Sequence, residues 1–408
     1  VIHAPNQTDR DKNTGFTETL RGSRQSGVRA HNERLVLTLI RQMGPLAKAR
    51  IARLTDLSAQ TVSVIMRELE ADGLLEKGMP VRGRVGQPSV PMNLARDGAY
   101  FLGLKVGRRS LDLILTDFLG HVESRVRRTH RYPVPECVVG FADEAIGRLL
   151  GQLGPGKRDR VAGLGIAIPF HLWDWARSLG VRPADMAGWR DRNIASEIGK
   201  NLDFPVYMQN DASAACGAEL VFGKQDRPSE FLYFFIGYFV GGGLVLDNSL
   251  YTGRTGNAAA VGPMPVERSN GNIRQLMNVA SLATLEKALV AQGGDGESIW
   301  RDPSNWMIDD RLLDDWITRT SDGLAVAIVS STCLIDFGCV FIDGWIPVDV
   351  RAEIVRRTRS RLGEFDIAGI EIPEVREGTV GCDARSLGAA SLPLSERFLL
   401  DRGAFVKE

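Results

Sequence analysis

Cysteine is scarce in this 408-residue chain: five residues, Cys137, Cys216, Cys333, Cys339 and Cys382, odd in number and without C-x-C or C-x-x-C spacing. That pattern fits a reducing compartment rather than a disulfide framework, and it does not indicate structural zinc. It predicts thiols serving as small core residues in a reducing cytoplasm. Long apolar runs are missing too. No window approaches the ~18 uninterrupted apolar residues of a membrane span, so no membrane partner is expected. Residues 1–26 hold no apolar run of the signal-peptide kind and read as a polar, flexible arm. Net charge is also absent, with 50 Lys/Arg balancing 50 Asp/Glu.

That balance hides an asymmetry. Residues 1–96 carry 15 Lys/Arg against 9 Asp/Glu, leaving 35 against 41 for the remainder. A basic front end on an acidic body points to an anionic partner for the front end only. With 44% apolar and 25% charged residues the chain reads as globular, and its length implies two or three domains.

The front end predicts helices. In HNERLVLTLIRQM, residues 31–43, Leu35, Leu39 and Met43 recur along one face with Val36 and Ile40 beside it, and Gly44-Pro45 stops the run. Ile51 and Leu54 give a short amphipathic helix, Thr55-Asp56 break it, and Ser58 caps a second. There Val62, Ile65, Met66 and Leu69 point inward, leaving Gln60, Thr61, Ser63 and Arg67 outward. Two short helices and a tight turn, the second helix starting in small polar residues, make a helix-turn-helix whose Ser58, Gln60, Thr61, Ser63 and Arg67 face DNA. After Gly73, two strands around a Gly/Arg-rich loop form a wing that places Arg82 and Arg84 for phosphate or minor-groove contact. The other reading of the same pattern is a three-helix module that contacts protein.

From Gly98 the pattern turns β-rich. FLGLKVGRRSLDLILTD, residues 101–117, reads as strand, turn and strand, with a third strand following and a helix near 136–153. RVAGLGIAIPF is a buried strand. A loop with Trp173, Trp175 and Trp189 leads to a helix at 191–201, the strand PVYMQND, and a helix beginning after Asp211. EFLYFFIGYFVGGGLVLDNSLYTG is read as a strand, a Gly241-Gly242-Gly243 turn and another strand.

Taken in order, GRVGQPSVPMNLARDGAYFLGLKVG, GLGIAIPF, QNDASAACGAE and IGYFVGGGLVLDNSLYTGRTGNAAAVGPMPV resemble the ROK family of repressors and sugar kinases over about residues 27–400. The resemblance implies an α/β fold: an N-terminal winged helix-turn-helix (27–96) followed by a two-lobed actin/hexokinase-like body. Its first lobe would span 97–210, rejoined by a C-terminal helix near 385–400, and its second 211–384. A winged helix in front marks the family's transcriptional regulators.

The family's kinases carry D-x-G-G-T-K at the first turn, where the acid helps to place magnesium–ATP. The matching residues here are Lys105, Val106, Gly107, Arg108, Arg109 and Ser110. A cation replaces the carboxylate, and an arginine the second glycine. Phosphoryl transfer rests on positioning and metal charge, so no catalytic residue and no cofactor are expected. Two arginines at the turn leave anion binding open. The second nucleotide-contacting turn resembles FIDGWIPVD, with Trp345 where a glycine would be.

The sugar side is partly kept. By the resemblance, Asn210-Asp211 match the pair that holds sugar hydroxyls, and a carboxylate beside an amide suits vicinal hydroxyls. The plainer alternative is a turn that caps the next helix. Ala260 and Pro263 stand where the family has a glutamate and a zinc-binding histidine, and the cysteine cluster is missing from MPVERSNGNIRQLMNVAS, so no metal site is expected. Asp185 stands at the family's pocket asparagine. With His171 and Trp173 it completes the expected effector pocket, although Trp173 equally suits loop packing and His171 a structural role. The resulting expectation is a cytoplasmic, sugar-responsive repressor. Its partners would be operator DNA and a monosaccharide or polyol, and it would act as a homodimer or homotetramer. The alternatives are a sugar kinase with an unorthodox ATP site and a DNA-binding oligomer without effector.

Overall fold

The computed structural model describes residues 24–80, 89–176, 180–224, 226–269 and 272–400. They fall into two compact units, one of residues up to Leu94 together with Phe398–Leu400, the other from Ala95 to Arg397.

In the smaller unit, α1 (Arg24–Met43), α2 (Lys48–Thr55) and α3 (Ala59–Ala71) precede an antiparallel pair, β1 (Leu75–Lys77) and β2 (Met92–Leu94), with Leu75 opposite Leu94. Gly44 and Gly73 both take positive φ, which ends α1 and the turn after α3. Asp56 stops α2 in the left-handed region. The Ser58 hydroxyl then accepts the Thr61 N–H at 3.0 Å, so α3 starts where the cap requires. Val62, Ile65, Met66 and Leu69 are buried as expected. The α1 face differs from the expectation: Val36, Leu37 and Ile40 are buried, while Leu35 and Leu39 are half-buried and Met43 is exposed. Both rows have helical spacing, and the row that packs on α2 and α3 is the one rotated by a single residue. Leu54 is likewise exposed, leaving Ile51 as the buried anchor of α2. Arg82 and Arg84 lie outside the described residues.

The larger unit holds two five-stranded sheets of the same plan. In the first, β3 (Tyr100–Val106), β4 (Ser110–Thr116) and β5 (Val122–Thr129) form an antiparallel meander, and β6 (Val161–Ile168) and β7 (Val206–Asn210) add in parallel, in the order β5-β4-β3-β6-β7. β3, β4 and β6 are buried along their whole length, which explains their near-continuous apolar sequence. The α4 helix (Pro135–Gln152) packs on one face through Val138, Phe141, Ala142 and Ile146. On the other face lies the helix Ala384–Phe398. It approaches so closely that a Cβ at Gly165 would overlap the Ala389 carbonyl.

In the second sheet β8 (Phe231–Ile236), β9 (Val240–Leu246) and β10 (Ser249–Tyr251) form the meander. A hairpin of β11 (Pro265–Ser269) and β12 (Asn272–Gln275) follows. β13 (Cys339–Gly344) and β14 (Glu374–Glu377) then complete the order β10-β9-β8-β13-β14. Gly241, Gly242 and Gly243 were expected as the turn of this meander, but they lie within β9, and the turn is Gly237–Phe239. The reason is packing. The helix Asp211–Phe222 rests on β9, and a Cβ at Gly243 would strike Cys216. The expected helix at 191–201 is shorter, Ile194–Gly199.

Candidate functional site

Parallel strands β6 and β7 end in register, Ile168 beside Asn210, so the loops after both leave one edge of the sheet, where open α/β folds gather ligand groups. Asn210 caps the helix Asp211–Phe222: its Oδ1 accepts the Ala212 N–H at 3.0 Å and the Ser213 N–H at 3.3 Å. Its amide nitrogen is not used in that cap. Asp211 is 8% exposed, and its Oδ2 accepts from Arg385 Nη1 at 3.3 Å. Of the two alternatives raised for this pair, the helix cap is what Asn210 makes, while Asp211 pairs with Arg385.

That cluster is built by register. Lys105 on β3 stands opposite Asp112 on β4, and Asp112 opposite Arg127 on β5, so the three share one face of the sheet. Lys105 is 5% exposed, and its ammonium donates to Ser110 Oγ at 2.8 Å. Burial pushes it down to about 7; Arg385 adds to this and Asp112 opposes it. Arg108 is 8% exposed and lies against two rings that also touch each other, Trp175 at 4.8 Å and Phe239 at 4.7 Å. Burial lowers its guanidinium to about 10, with Asp211 opposing. Arg109 pairs with Glu286 and lies 3.4 Å from Glu297. Arg127 donates to the Trp300 carbonyl at 3.1 Å and lies over the Trp345 ring. His130 contacts the Gly107 carbonyl at 2.9 Å through Nε2, and burial lowers its pKa. Lys105, Arg108, Arg109, Arg127, His130 and Arg385 wall a cavity of about 420 Å3.

Other expected effector residues stand differently. Asp185 is half-buried and committed locally: Arg182 Nη2 donates to its Oδ1 at 2.7 Å, and that guanidinium holds the carboxyl below its usual range. His171 is exposed in the left-handed region and meets the Trp173 ring edge-on at 5.0 Å. Trp173 packs partly buried on the core of the first sheet. The structure thus couples Asp211 to the cavity through Arg385, while Asp185 is tied to Arg182. In the smaller unit Gln60 and Arg67 are exposed, and Thr61 and Ser63 half-buried. The exposed Ser58 shares a 2.8 Å hydrogen bond with the Thr61 hydroxyl, so these two serve the cap.

Sequence reading missed Arg127, His130 and Arg385. The first two stand in RVRRTHR, whose alternation on an edge strand was a usable signal. Arg385 is brought in from the last helix and had none. Magnesium–ATP, which the kinase resemblance would imply, does not fit this cavity. Lys105 stands at the position of the carboxylate, so the charge at this turn opposes a magnesium ion.

Several known proteins share parts of this sequence and fold. A xylose repressor of Caldicellulosiruptor bescii is 28% identical over 278 residues, 64% of this chain and 67% of that protein. The crystal structure of a ROK family transcriptional regulator, a homologue of the Escherichia coli MLC protein, superimposes with a TM-score of 0.64 at 21% identity, covering 91% of this chain and 97% of that one. A ROK family glucokinase from Streptomyces griseus, in complex with glucose and AMPPNP, gives 0.56 at 19%, covering 72% of this chain and 99% of that one. Residues 101–291 match the ROK family, and this part of the chain is a ROK family domain.

Proposed function

We propose that the chain is a sugar-responsive transcriptional repressor. A winged helix-turn-helix at residues 27–96 binds operator DNA, and the body binds the effector without phosphorylating it. One observation carries this reading. A capped α3 with Gln60 and Arg67 exposed stands on the same chain as a ROK domain whose phosphate turn holds Lys105 and Arg108. The likeness to a structure of a regulator reaches over 91% of the chain, that to a glucokinase over 72%, and the smaller unit is of the size that separates them. The relative named as a xylose repressor supports the sugar response.

In this reading α3 enters the major groove, Gln60 and Ser63 meet base edges, Thr61 and Ser58 fix the start of the helix, and Arg67, Arg82 and Arg84 hold backbone or minor groove. One winged helix reads too few base pairs for useful specificity, so the active species is a symmetric dimer or a dimer of dimers. The effector sits at Asn210-Asp211, with His171 and Trp173 on the neighbouring loop; Asp185 enters only by exchanging its Arg182 partner. The test is selection of a preferred sequence by the full chain from a random DNA pool, followed by affinity measurements with and without sugars. Equal affinity for selected and random DNA would overturn the assignment.

A further inference from the structure

The chain passes between its two units twice, after Leu94 and after Arg397. Each passage is flanked by an arginine bound to the first sheet. At the first, Arg96 Nε donates to Asp117 Oδ2 at 2.9 Å and Nη2 to Glu123, while the Arg96 carbonyl accepts the Phe118 N–H at 3.1 Å. Asp117 is fully buried, and its Oδ1 also accepts the Leu119 and His121 N–H groups, each at 2.9 Å. The next residue is held as well, since Lys157 donates to Asp97 Oδ1 at 3.0 Å. Only Ala95 separates this knot from β2. At the second passage, Arg397 Nη1 donates to the Ala162 carbonyl at 2.8 Å. Just beyond it, the Leu400 N–H donates to Thr38 Oγ1 on α1 at 2.9 Å.

Register places both anchors at one end of that sheet. Tyr100 stands beside Val161 and Phe101 opposite Thr116, so Ala162 and Asp117 both lie where β3 begins. The other end carries Lys105, opposite Asp112 and beside Ala167, at the cavity. The three strands between are buried along their whole length, and such a packed layer transmits displacement rather than absorbing it. One flexible connection would leave the DNA-binding unit free to turn. Two short connections, each fixed at its root, remove most of that freedom.

We propose that Arg96 and Arg397 are positioning residues for operator recognition: they fix the two segments that join the DNA-binding unit to the body, and so hold paired units at one half-site spacing. This rests on the chain being a dimeric repressor and names the groups that set its register on DNA. In this role neither arginine needs to touch DNA. Replacing Arg96 spares the fold, because its side chain is 60% exposed and Asp117 keeps both backbone donors.

The test is anisotropy titration of the full chain, unaltered and as Arg96→Ala, Arg397→Ala and the double variant, on DNA that the unaltered chain selects from a random pool. The selected duplex is compared with one whose half-sites are moved apart by about two base pairs, which turns one of them by about 70° around the helix axis. On the shifted duplex the unaltered chain should lose at least tenfold in affinity and the double variant less than threefold, with each single variant between. A double variant that keeps the whole spacing penalty overturns the proposal, as does an unaltered chain that shows none. Affinity for a lone half-site should stay within twofold throughout; a larger loss there would place the arginines at the DNA itself and overturn it. Amide hydrogen exchange at Phe118 and Leu400 reads the anchors without DNA. Both should exchange at least tenfold faster in the double variant, and unchanged rates overturn the proposal on their own. A chain that selects no DNA while these rates rise removes the repressor reading and leaves the anchors standing.

Discussion

Arg385 reaches Asp211 across 174 residues of chain, its Nη1 3.3 Å from Oδ2, and both side chains are almost fully buried. The contact joins the last helix of the body to the start of the helix that follows β7. It also leaves Asp211 Oδ1 free of this pair.

Removing one member of a buried pair leaves the other charge uncompensated. Asp211→Ala should therefore lower unfolding free energy by ~3–5 kcal/mol. It should also abolish the effector response while the chain still binds its operator. Urea denaturation and DNA titration with and without effector check both parts. An unchanged response at the same effector concentration would place the ligand elsewhere.

Lys105 supplies a pH signature. Its ordinary value of 10.5 falls to about 7 in the folded chain. Between those values the unfolded chain holds the extra proton, so this group makes stability rise as pH increases from about 7 towards 10.5. Lys105→Met should remove that component. Urea midpoints at about pH 7 and about pH 9, compared between the two proteins, test it; an identical slope in both would show that Lys105 is charged throughout.

How much of this was legible beforehand follows from how local each signal is. The β3–β4 hairpin, the Ser58 cap and the Asn210-Asp211 corner are written within a few neighbouring residues, and all three stand in the structure. The role of Gly243 was not, because what demands a missing Cβ is Cys216 on another element. A run of glycines looks like a turn until its neighbour is known. Asp185 shows the opposite hazard. Its Arg182 partner sits three residues away, and such a local pair competes with any distant ligand. The cavity was least visible, since Lys105, Arg127 and Arg385 meet only through sheet register and the packing of the final helix.

DNA contacts should divide by kind. Gln60→Ala should relax discrimination at one base pair by ~1–3 kcal/mol and leave random-DNA affinity nearly unchanged. Arg67→Ala and Arg84→Ala should weaken operator and random DNA alike, and each should reduce the slope of log affinity against log salt by about 1. Ser58→Ala should cost about 1 kcal/mol of stability through the lost cap, with a smaller effect on recognition. Anisotropy titrations at several salt concentrations separate the classes. Operator affinity unchanged in Gln60→Ala, Arg67→Ala and Arg84→Ala alike would remove α3 from the interface.

Catalysis provides a sharp negative. With Lys105 and Arg108 at the phosphate turn, the chain should not transfer phosphate from magnesium–ATP to any sugar, nor carry stoichiometric zinc. A coupled assay for ADP over a panel of sugars and elemental analysis of the purified protein check the two halves. Turnover abolished by Asp211→Asn, or one zinc per chain, would overturn this.

The switch itself makes the last prediction. Arg109 pairs with Glu286 and Arg127 with the Trp300 carbonyl, so residues of the first sheet already grip elements beside the second around one cavity. A ligand entering that cavity changes the operator affinity only by its differential affinity for the two arrangements of the body. With a coupling of ~1–3 kcal/mol, saturating effector should weaken operator binding by about 5- to 150-fold. Linkage then requires the operator to weaken effector binding by the same factor, whatever the path between the sites. Measuring all four sides of that cycle on one preparation decides the matter. Equal factors on opposite sides, both greater than one, are expected. A factor of one on both sides, with effector demonstrably bound, would mean that the body holds its ligand without informing the DNA-binding unit.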